Sequence, residues 1–195
     1  MNRRRPRFES CVFPEPPEMG RLLQHLPSVR RALFIDGVPK DSIGRYTADA
    51  DITILGRDGN EPILRFGSSG PFNAIGVDLR SGQVVEAIGV DLRSGHGVEV
   101  GEQPDFPSLF VNSSIEQFTR TLKAIADRFP YYDREASDEE LESVAVELLD
   151  IVRDIDPEAA AADGYWQDFA DSAALGDLST EDILETPDDE EAGSR

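Results

Sequence analysis

The side chains that could act as nucleophiles, proton carriers or metal ligands are few and widely separated in this sequence. It contains two histidines, His25 and His96, and one cysteine, Cys11. Neither histidine belongs to an HExxH or a Cys/His pattern, so their spacing does not indicate a zinc site. Cys11 has no partner for an internal disulfide and no histidine near it in sequence to activate its thiol. We therefore predict no catalytic residue, no metal site and no cofactor, and an enzyme is the weakest functional hypothesis.

Three short stretches contain parts of ligand-binding motifs without completing them. Residues 67–71 (GSSGP) are a glycine-rich loop, but they lack the GxxxxGK[ST] pattern and do not open a helix, so no phosphate-binding loop is indicated. Residues 49–51 and 57–59 contain fragments of a calcium loop without its ligand order. No GxSxG sequence is present. An unrecognised enzymatic site would need a deep cleft that holds a carboxylate of strongly raised pKa.

Carboxylates are abundant, and they are concentrated in the last third of the chain. Residues 133–195 contain 22 acidic and 3 basic residues, a net charge of −19, whereas residues 1–132 contain 17 and 16, a net charge of −1. A field of this sign disfavours nucleic acid phosphates and anionic membranes, and it favours a basic partner. The plainer interpretation of any one acidic face is that it keeps the protein in solution.

The clearest candidate for a binding surface lies on a predicted helix that begins after Ser137. Ser137 and Glu140 have the spacing of a capping box, which marks a helix start. The positions that would face the core are Leu141, Val144, Leu148, Val152 and Ile155. At about 100° per residue, the opposite face carries Glu139, Val146, Asp150 and Asp154. An apolar residue among acids predicts a partner contact, and an isolated exposed valine is the plainer alternative.

The stretch from residue 108 to residue 129 indicates how the core is built. Leu109 to Val111 form a short apolar run that predicts a buried strand. Two capping boxes compete to start the next helix, one from Ser113 and one from Ser114. The helix carries one apolar stripe and ends before Pro130. The stripe consists of Ile115, Phe118, Leu122, Ile125 and Phe129.

A tandem duplication occupies the middle of the predicted sheet. Residues 74–86 (AIGVDLRSGQVVE) are followed directly by residues 87–99 (AIGVDLRSGHGVE). Each copy is typical of a hairpin, and a two-residue turn in the first would place Leu79 opposite Val84. In the second copy a longer turn that includes His96 would place Leu92 opposite Val98. The copies are too few for a solenoid, and the sequence leaves open which one occupies the sheet.

The chain is expected to form one domain between a short arm and a short tail. Residues 1–13 are predicted to be a mobile basic arm, residues 14–185 the domain, and residues 186–195 a disordered acidic tail. An antiparallel sheet of about residues 51–112, flanked by N-terminal and C-terminal helices, gives an α+β fold. No apolar run reaches the ~20 residues of a membrane span, and no apolar segment follows the basic start as in a signal peptide. We therefore expect a cytoplasmic protein.

Three regions resemble the SUKH superfamily and, within it, the fourth subfamily of bacterial immunity proteins. Residues 110–118 (FVNSSIEQF), which follow a glycine-rich strand region, carry the closest resemblance. The order of helix, Gly37 and Pro39 near the N-terminus and Trp166 in a late helix extend it to about residues 20–180. The resemblance implies a SUKH-like fold and a cytoplasmic antidote, encoded beside a polymorphic toxin, that binds and blocks that toxin.

The resemblance and the acidic C-terminal third together predict the kind of partner. We expect a cognate toxin that is basic, such as a nuclease or a deaminase, rather than a nucleic acid or a membrane. The contact residues would be Glu139, Val146, Asp150 and Asp154. The alternative is a non-catalytic adaptor or regulatory binding module on the same scaffold, and the genes next to this one would distinguish the two.

Overall fold

The computed structural model describes residues 9–40, 45–56, 62–89 and 107–180. Its main element is a five-stranded antiparallel sheet in which each strand pairs with the next in the order β3-β4-β5-β6-β7. The strands are β3 (Tyr46–Leu55), β4 (Ile63–Ser69), β5 (Asn73–Asp78), β6 (Val84–Ile88) and β7 (Ser108–Asn112). A separate two-stranded ribbon pairs β1 (Ser10–Cys11) with β2 (Val38–Pro39). The predicted α+β fold with an antiparallel sheet is confirmed.

Helices precede and follow the sheet, as the sequence pattern predicts. The two N-terminal helices are α1 (Met19–Leu22) and α2 (Pro27–Arg31), and α2 continues into a π-helical turn, Ala32–Asp36. The C-terminal helices are α3 (Ile115–Arg128), α4 (Asp138–Ile155), α5 (Pro157–Ala161) and α6 (Tyr165–Ala174). Both groups contribute to one core cluster, together with Leu64, Phe66, Ile75, Val77, Val84 and Val111 from the sheet.

Phe118 of α3 lies near the centre of this core. The centroid of its ring is 5.2 Å from the ring centroid of Tyr46 on β3 and 5.9 Å from that of Phe66 on β4. Both contacts are edge-to-face. On its other side the ring of Trp166 on α6 is 6.4 Å away. Aromatic pairs in such arrangements add to the stabilisation that burial provides. Phe118 therefore connects the sheet to the C-terminal helices.

The start of α3 decides between the two capping boxes that the sequence offers. Ser114 is the N-cap, and its hydroxyl oxygen accepts a hydrogen bond from the Gln117 amide at 3.2 Å. Ser113 does not cap the helix, because its side chain donates to Asp156 instead. The predicted cap at Ser137 is confirmed, since its hydroxyl accepts from the Glu140 amide at 3.3 Å.

The first copy of the duplication forms β5, the following turn and most of β6, and Ala87 and Ile88 of the second copy complete β6. The predicted pairing of Leu79 with Val84 is wrong, because Val84 pairs with Val77. The turn is longer than two residues: Asp78 accepts from the amide of Arg80 at 2.6 Å, and Gly82 has a φ of 79°. The observed register differs from the predicted one by two residues, so the same side chains of the hairpin still point into the core. The predicted pairing in the second copy lies outside the described residues, as does His96.

Two boundaries differ from those that the sequence predicts. The sheet begins at Tyr46 rather than Asp51, because Tyr46 is buried against Phe118 in the core. Residues 9–13, the last part of the predicted mobile arm, belong to the fold: Cys11 pairs with Val38, and Phe13 is buried. The apolar run at residues 11–13 is only three residues long, which is too short to show a helix or strand period in the sequence. The expected tail at residues 186–195 lies outside the described residues.

Candidate partner-binding site

Helix α4 carries the predicted site residues, and its apolar stripe fixes its orientation. Val144, Ala145, Leu148 and Val152 are all buried on one side of the helix. Their spacing of three and four residues places them in one stripe, which packs against α3 and α6. A helix packed along its central turns in this way presents its opposite face to solvent with little freedom to rotate.

The C-terminal end of α4 is fixed by a buried carboxylate, Asp156. One of its oxygens accepts from the Asn112 side-chain amide at 2.9 Å and from the Ser113 backbone amide at 2.7 Å. The other accepts from the Ser113 hydroxyl at 2.9 Å and caps α5 through the Ala159 amide at 3.4 Å. The loop between β7 and α3 is therefore bonded to the joint between α4 and α5.

Trp166 completes this polar group, which we call the Asp156 cluster (Asn112, Ser113, Asp156 and Trp166). Its indole N–H donates to the Val111 carbonyl at 3.0 Å and to the Asn112 side-chain oxygen at 3.1 Å. Burial raises the pKa of Asp156, but the hydrogen bonds from Ser113 and Asn112 outweigh that effect. The pKa therefore lies below its ordinary value of 3.8. Asp156 is charged at neutral pH, and its role is to hold the elements together.

The four predicted contact residues lie together on the solvent side of α4. Glu139, Val146, Asp150 and Asp154 are all exposed, and Val146 has 60% of its surface accessible. At about 100° per residue they fall within an arc of about 80°. With about 1.5 Å of rise per residue, they extend over about 22 Å of the helix. The face is therefore an acidic strip with one apolar side chain near its middle.

Two ion pairs lie on or beside this strip. Arg153 forms an ion pair with Asp150 one turn away, so the charge of Asp150 is partly offset. Arg128 of α3 contacts Glu147 of α4 at 2.8 Å. Glu139, in contrast, forms no ion pair with any residue that the structure describes. It lines a shallow groove of about 390 Å³ between the end of α3 and the start of α4.

Two features of this region were missed by the sequence interpretation. Glu142 is exposed one turn before Val146, and it extends the acidic strip. A count of every acid within one turn of Val146 would have found it. The Asp156 cluster was missed because its members lie 44 and 54 residues apart. Only the cap of α5 by Asp156 has a local signal in the sequence, because an aspartate followed by a proline is typical of a helix start.

The histidine and cysteine residues do not form a reactive group in the parts of the chain that are described. The His25 ring nitrogen Nε2 lies 2.8 Å from the Leu79 carbonyl oxygen, so His25 bonds to the turn of the first hairpin. Cys11, the single cysteine of the sequence, lies in β1 and is not part of a disulfide. Among the described residues, no three histidine, cysteine, aspartate or glutamate side chains are grouped as ligands of a metal ion.

Comparison with known proteins identifies the family. A family model described as "SUKH-4 immunity protein" matches residues 16–172, which is most of the chain. No curated protein and no solved structure matches it. Across the ranges that the structure describes, no helix is both long enough and apolar enough to cross a lipid bilayer.

Proposed function

The chain belongs to the SUKH-4 immunity protein family, and we propose that it is the antidote that binds and neutralises one cognate bacterial toxin in the cytoplasm. The family match over residues 16–172 is the observation that carries this proposal. The toxin would be encoded beside the immunity gene, so that the producing cell is protected from its own toxin. Neutralisation would occur by binding and would require no reaction on this protein.

The acidic strip of α4 is the proposed contact surface, with Glu139, Val146, Asp150 and Asp154 as its contact residues. A net charge of −20 on the whole chain attracts a basic partner over long distances, which raises the rate of encounter. Val146 would supply the apolar contact that loses water on binding, and the acids around it would form the rim. Helix α4 suits this role because its buried stripe and the Asp156 cluster hold it in one position.

A basic nuclease or a nucleic-acid deaminase is the toxin class that fits such a surface. These enzymes bind a polyanionic substrate, and their substrate channel therefore carries lysine and arginine side chains. An acidic strip about 22 Å long can occupy such a channel in place of the substrate. The same charge disfavours contact of the antidote with nucleic acid or with anionic lipid.

Co-expression with the product of the gene immediately upstream tests the proposal. We expect cells that produce that protein to survive only when this chain is present, and we expect the two proteins to co-purify. An unrelated immunity protein serves as the control for specificity. Death of the cells in both cases, with no complex, would contradict the antidote function and favour an adaptor on the same scaffold.

A further inference from the structure

The outer edge of β3 is a prominent surface that the proposed function does not use. β3 is the first strand of the sheet and pairs with β4 on one side only. The ribbon approaches it at one point, where the Ala48 amide donates to the Lys40 carbonyl at 2.7 Å. Beyond Ala48, no strand among the described residues pairs with this edge. Alternate amide and carbonyl groups of an edge strand point away from the sheet and can pair with another chain.

The opposite edge of the sheet differs, because three helices contact its strand. β7 is contacted by α3, α5 and α6. The indole N–H of Trp166 also donates to the Val111 carbonyl on this strand. Among the described residues, the outer part of β3 is therefore the sheet edge that neither a further strand nor a helix is seen to pair with.

The side chains of this part of β3 define what would fit beside it. Ile52 and Ile54 alternate with Asp51 and Thr53, so the strand has an apolar face and a polar face. Ile54 has 44% of its surface accessible although its pairing partner, Leu64, is buried. Asp49 is paired with Arg65 at 2.6 Å, whereas Asp51 is exposed and has no ion pair to a described residue. The sequence of β3 contains two acids and no lysine or arginine.

We propose that Asp51–Leu55 form a docking edge for an extended, basic segment of the toxin, which adds to the sheet beside β3. This inference rests on the proposed function, because it takes the toxin as the partner. The added strand would place a lysine or arginine near Asp51 on the polar face. On the other face it would place an apolar side chain next to Ile54, and outward backbone groups of β3 would complete the ladder.

Charge distinguishes this occupant from a second copy of the same chain. An antiparallel pair of two β3 strands would bring the acids of both strands together, and like charges on facing strands are destabilising. Each copy also carries a net charge of −20. A basic strand would bring opposite charges together, so it would not be subject to this repulsion.

Hydrogen–deuterium exchange of the full-length protein, alone and bound to the product of the upstream gene, tests the docking edge. We expect backbone amides within Asp51–Leu55 to exchange at least about tenfold more slowly in the complex, because new strand hydrogen bonds protect them. A complex in which exchange at these residues is unchanged would overturn the docking edge and leave the antidote function standing. Failure to form any complex would instead overturn the antidote function, and the docking edge with it.

A pair of charge-reversal variants provides the matched control. Asp51→Lys and Asp163→Lys change the net charge equally, so both affect long-range attraction to a similar extent. Asp163 is exposed next to Gly164, which lies near Leu109 on β7, at the opposite edge of the sheet. We expect Asp51→Lys to raise the dissociation rate of the complex about tenfold and Asp163→Lys to leave it unchanged. Equal dissociation rates for the two variants would overturn the proposal.

Discussion

At the scale of single residues, Asp156 is important because its hydrogen bonds join separate elements of the fold. It is 1% exposed and accepts hydrogen bonds from three residues: Asn112 at the end of β7, Ser113 in the loop before α3, and Ala159 in α5. A buried donor that loses its acceptor costs more than the hydrogen bond itself contributed, because it has also lost its contact with water. Asn112 and Ser113 of the FVNSS stretch therefore have a structural explanation, which is to hold the end of α4 through Asp156.

Replacing Asp156 by alanine should destabilise the protein by about 2–4 kcal/mol. The amides of Asn112 and Ser113 would stay buried without their acceptor, and α5 would lose its cap. Urea unfolding followed by circular dichroism measures the change. Asp163→Ala, at an exposed position, should change the free energy of unfolding by less than about 0.5 kcal/mol. Equal effects of the two substitutions would show that the Asp156 cluster is not essential to stability.

The same residue should make stability depend on pH. Because the pKa of Asp156 in the folded protein lies below its value in the unfolded chain, its charged form favours folding. This contribution is complete above the unfolded pKa of about 3.9 and is lost as pH falls through the folded pKa. We expect the stability difference between the wild type and Asp156→Asn to be constant at neutral pH and to narrow below about pH 4. A difference that does not change with pH would contradict this role.

At the scale of elements, α4 combines a structural and an interaction role on two faces of one helix. Its buried face is continuous along the helix, so changes on the exposed face should not affect folding. The pairing of Arg153 with Asp150 and of Arg128 with Glu147 adds little stability, because exposed ion pairs contribute at most about 1 kcal/mol. Binding effects of mutations on the exposed face can therefore be measured without loss of the fold.

Reversing Glu139, Asp150 and Asp154 to lysine should lower the rate of association with the toxin at least about tenfold. The matched control reverses three other exposed acids: Glu18, Asp127 and Asp163. Both triple variants carry the same net charge, so a difference between them reports the local field at α4. Surface plasmon resonance at low and at physiological salt measures both rates. Equal association rates for the two variants would remove α4 from the interface.

At the scale of the whole molecule, the two nearly identical copies of the duplication differ in how well they can fill the core. The copies differ only at two positions, where Gln83 and Val84 of the first correspond to His96 and Gly97 of the second. Val84 is fully buried in the main core cluster. Glycine at that position would leave the space unfilled and would also increase the entropy lost on folding. The first copy therefore suits the sheet better than the second.

A pair of deletions tests this selection. Removing residues 87–99 or residues 74–86 gives two chains that differ only in having Gln-Val or His-Gly at the two variable positions. We expect the chain that keeps Val84 to be more stable by about 2–4 kcal/mol, from the burial of valine and the cost of glycine in a strand. Denaturant unfolding of both chains measures the difference. Equal stability would mean that the core does not depend on this side chain.

The sequence by itself determined the elements whose signals are local. The helices α3 and α4 begin at predicted caps, because capping and the apolar stripe involve residues three or four positions apart. The exposed face of α4 was predicted for the same reason. The antiparallel sheet followed from alternation within single strands, although its first strand begins five residues earlier than predicted.

Only the tertiary structure decided which distant segments meet. The bonds from Asn112 to Asp156 and to Trp166, the pairing of Cys11 with Val38 and the register of the first hairpin all depend on contacts between separate elements. Ser113 fits the capping pattern as well as Ser114 does. It does not cap the helix, because its hydroxyl donates a hydrogen bond to the carboxylate of Asp156, 43 residues later. Local patterns specify elements, whereas packing of all elements into one core selects among the pairings that those patterns allow.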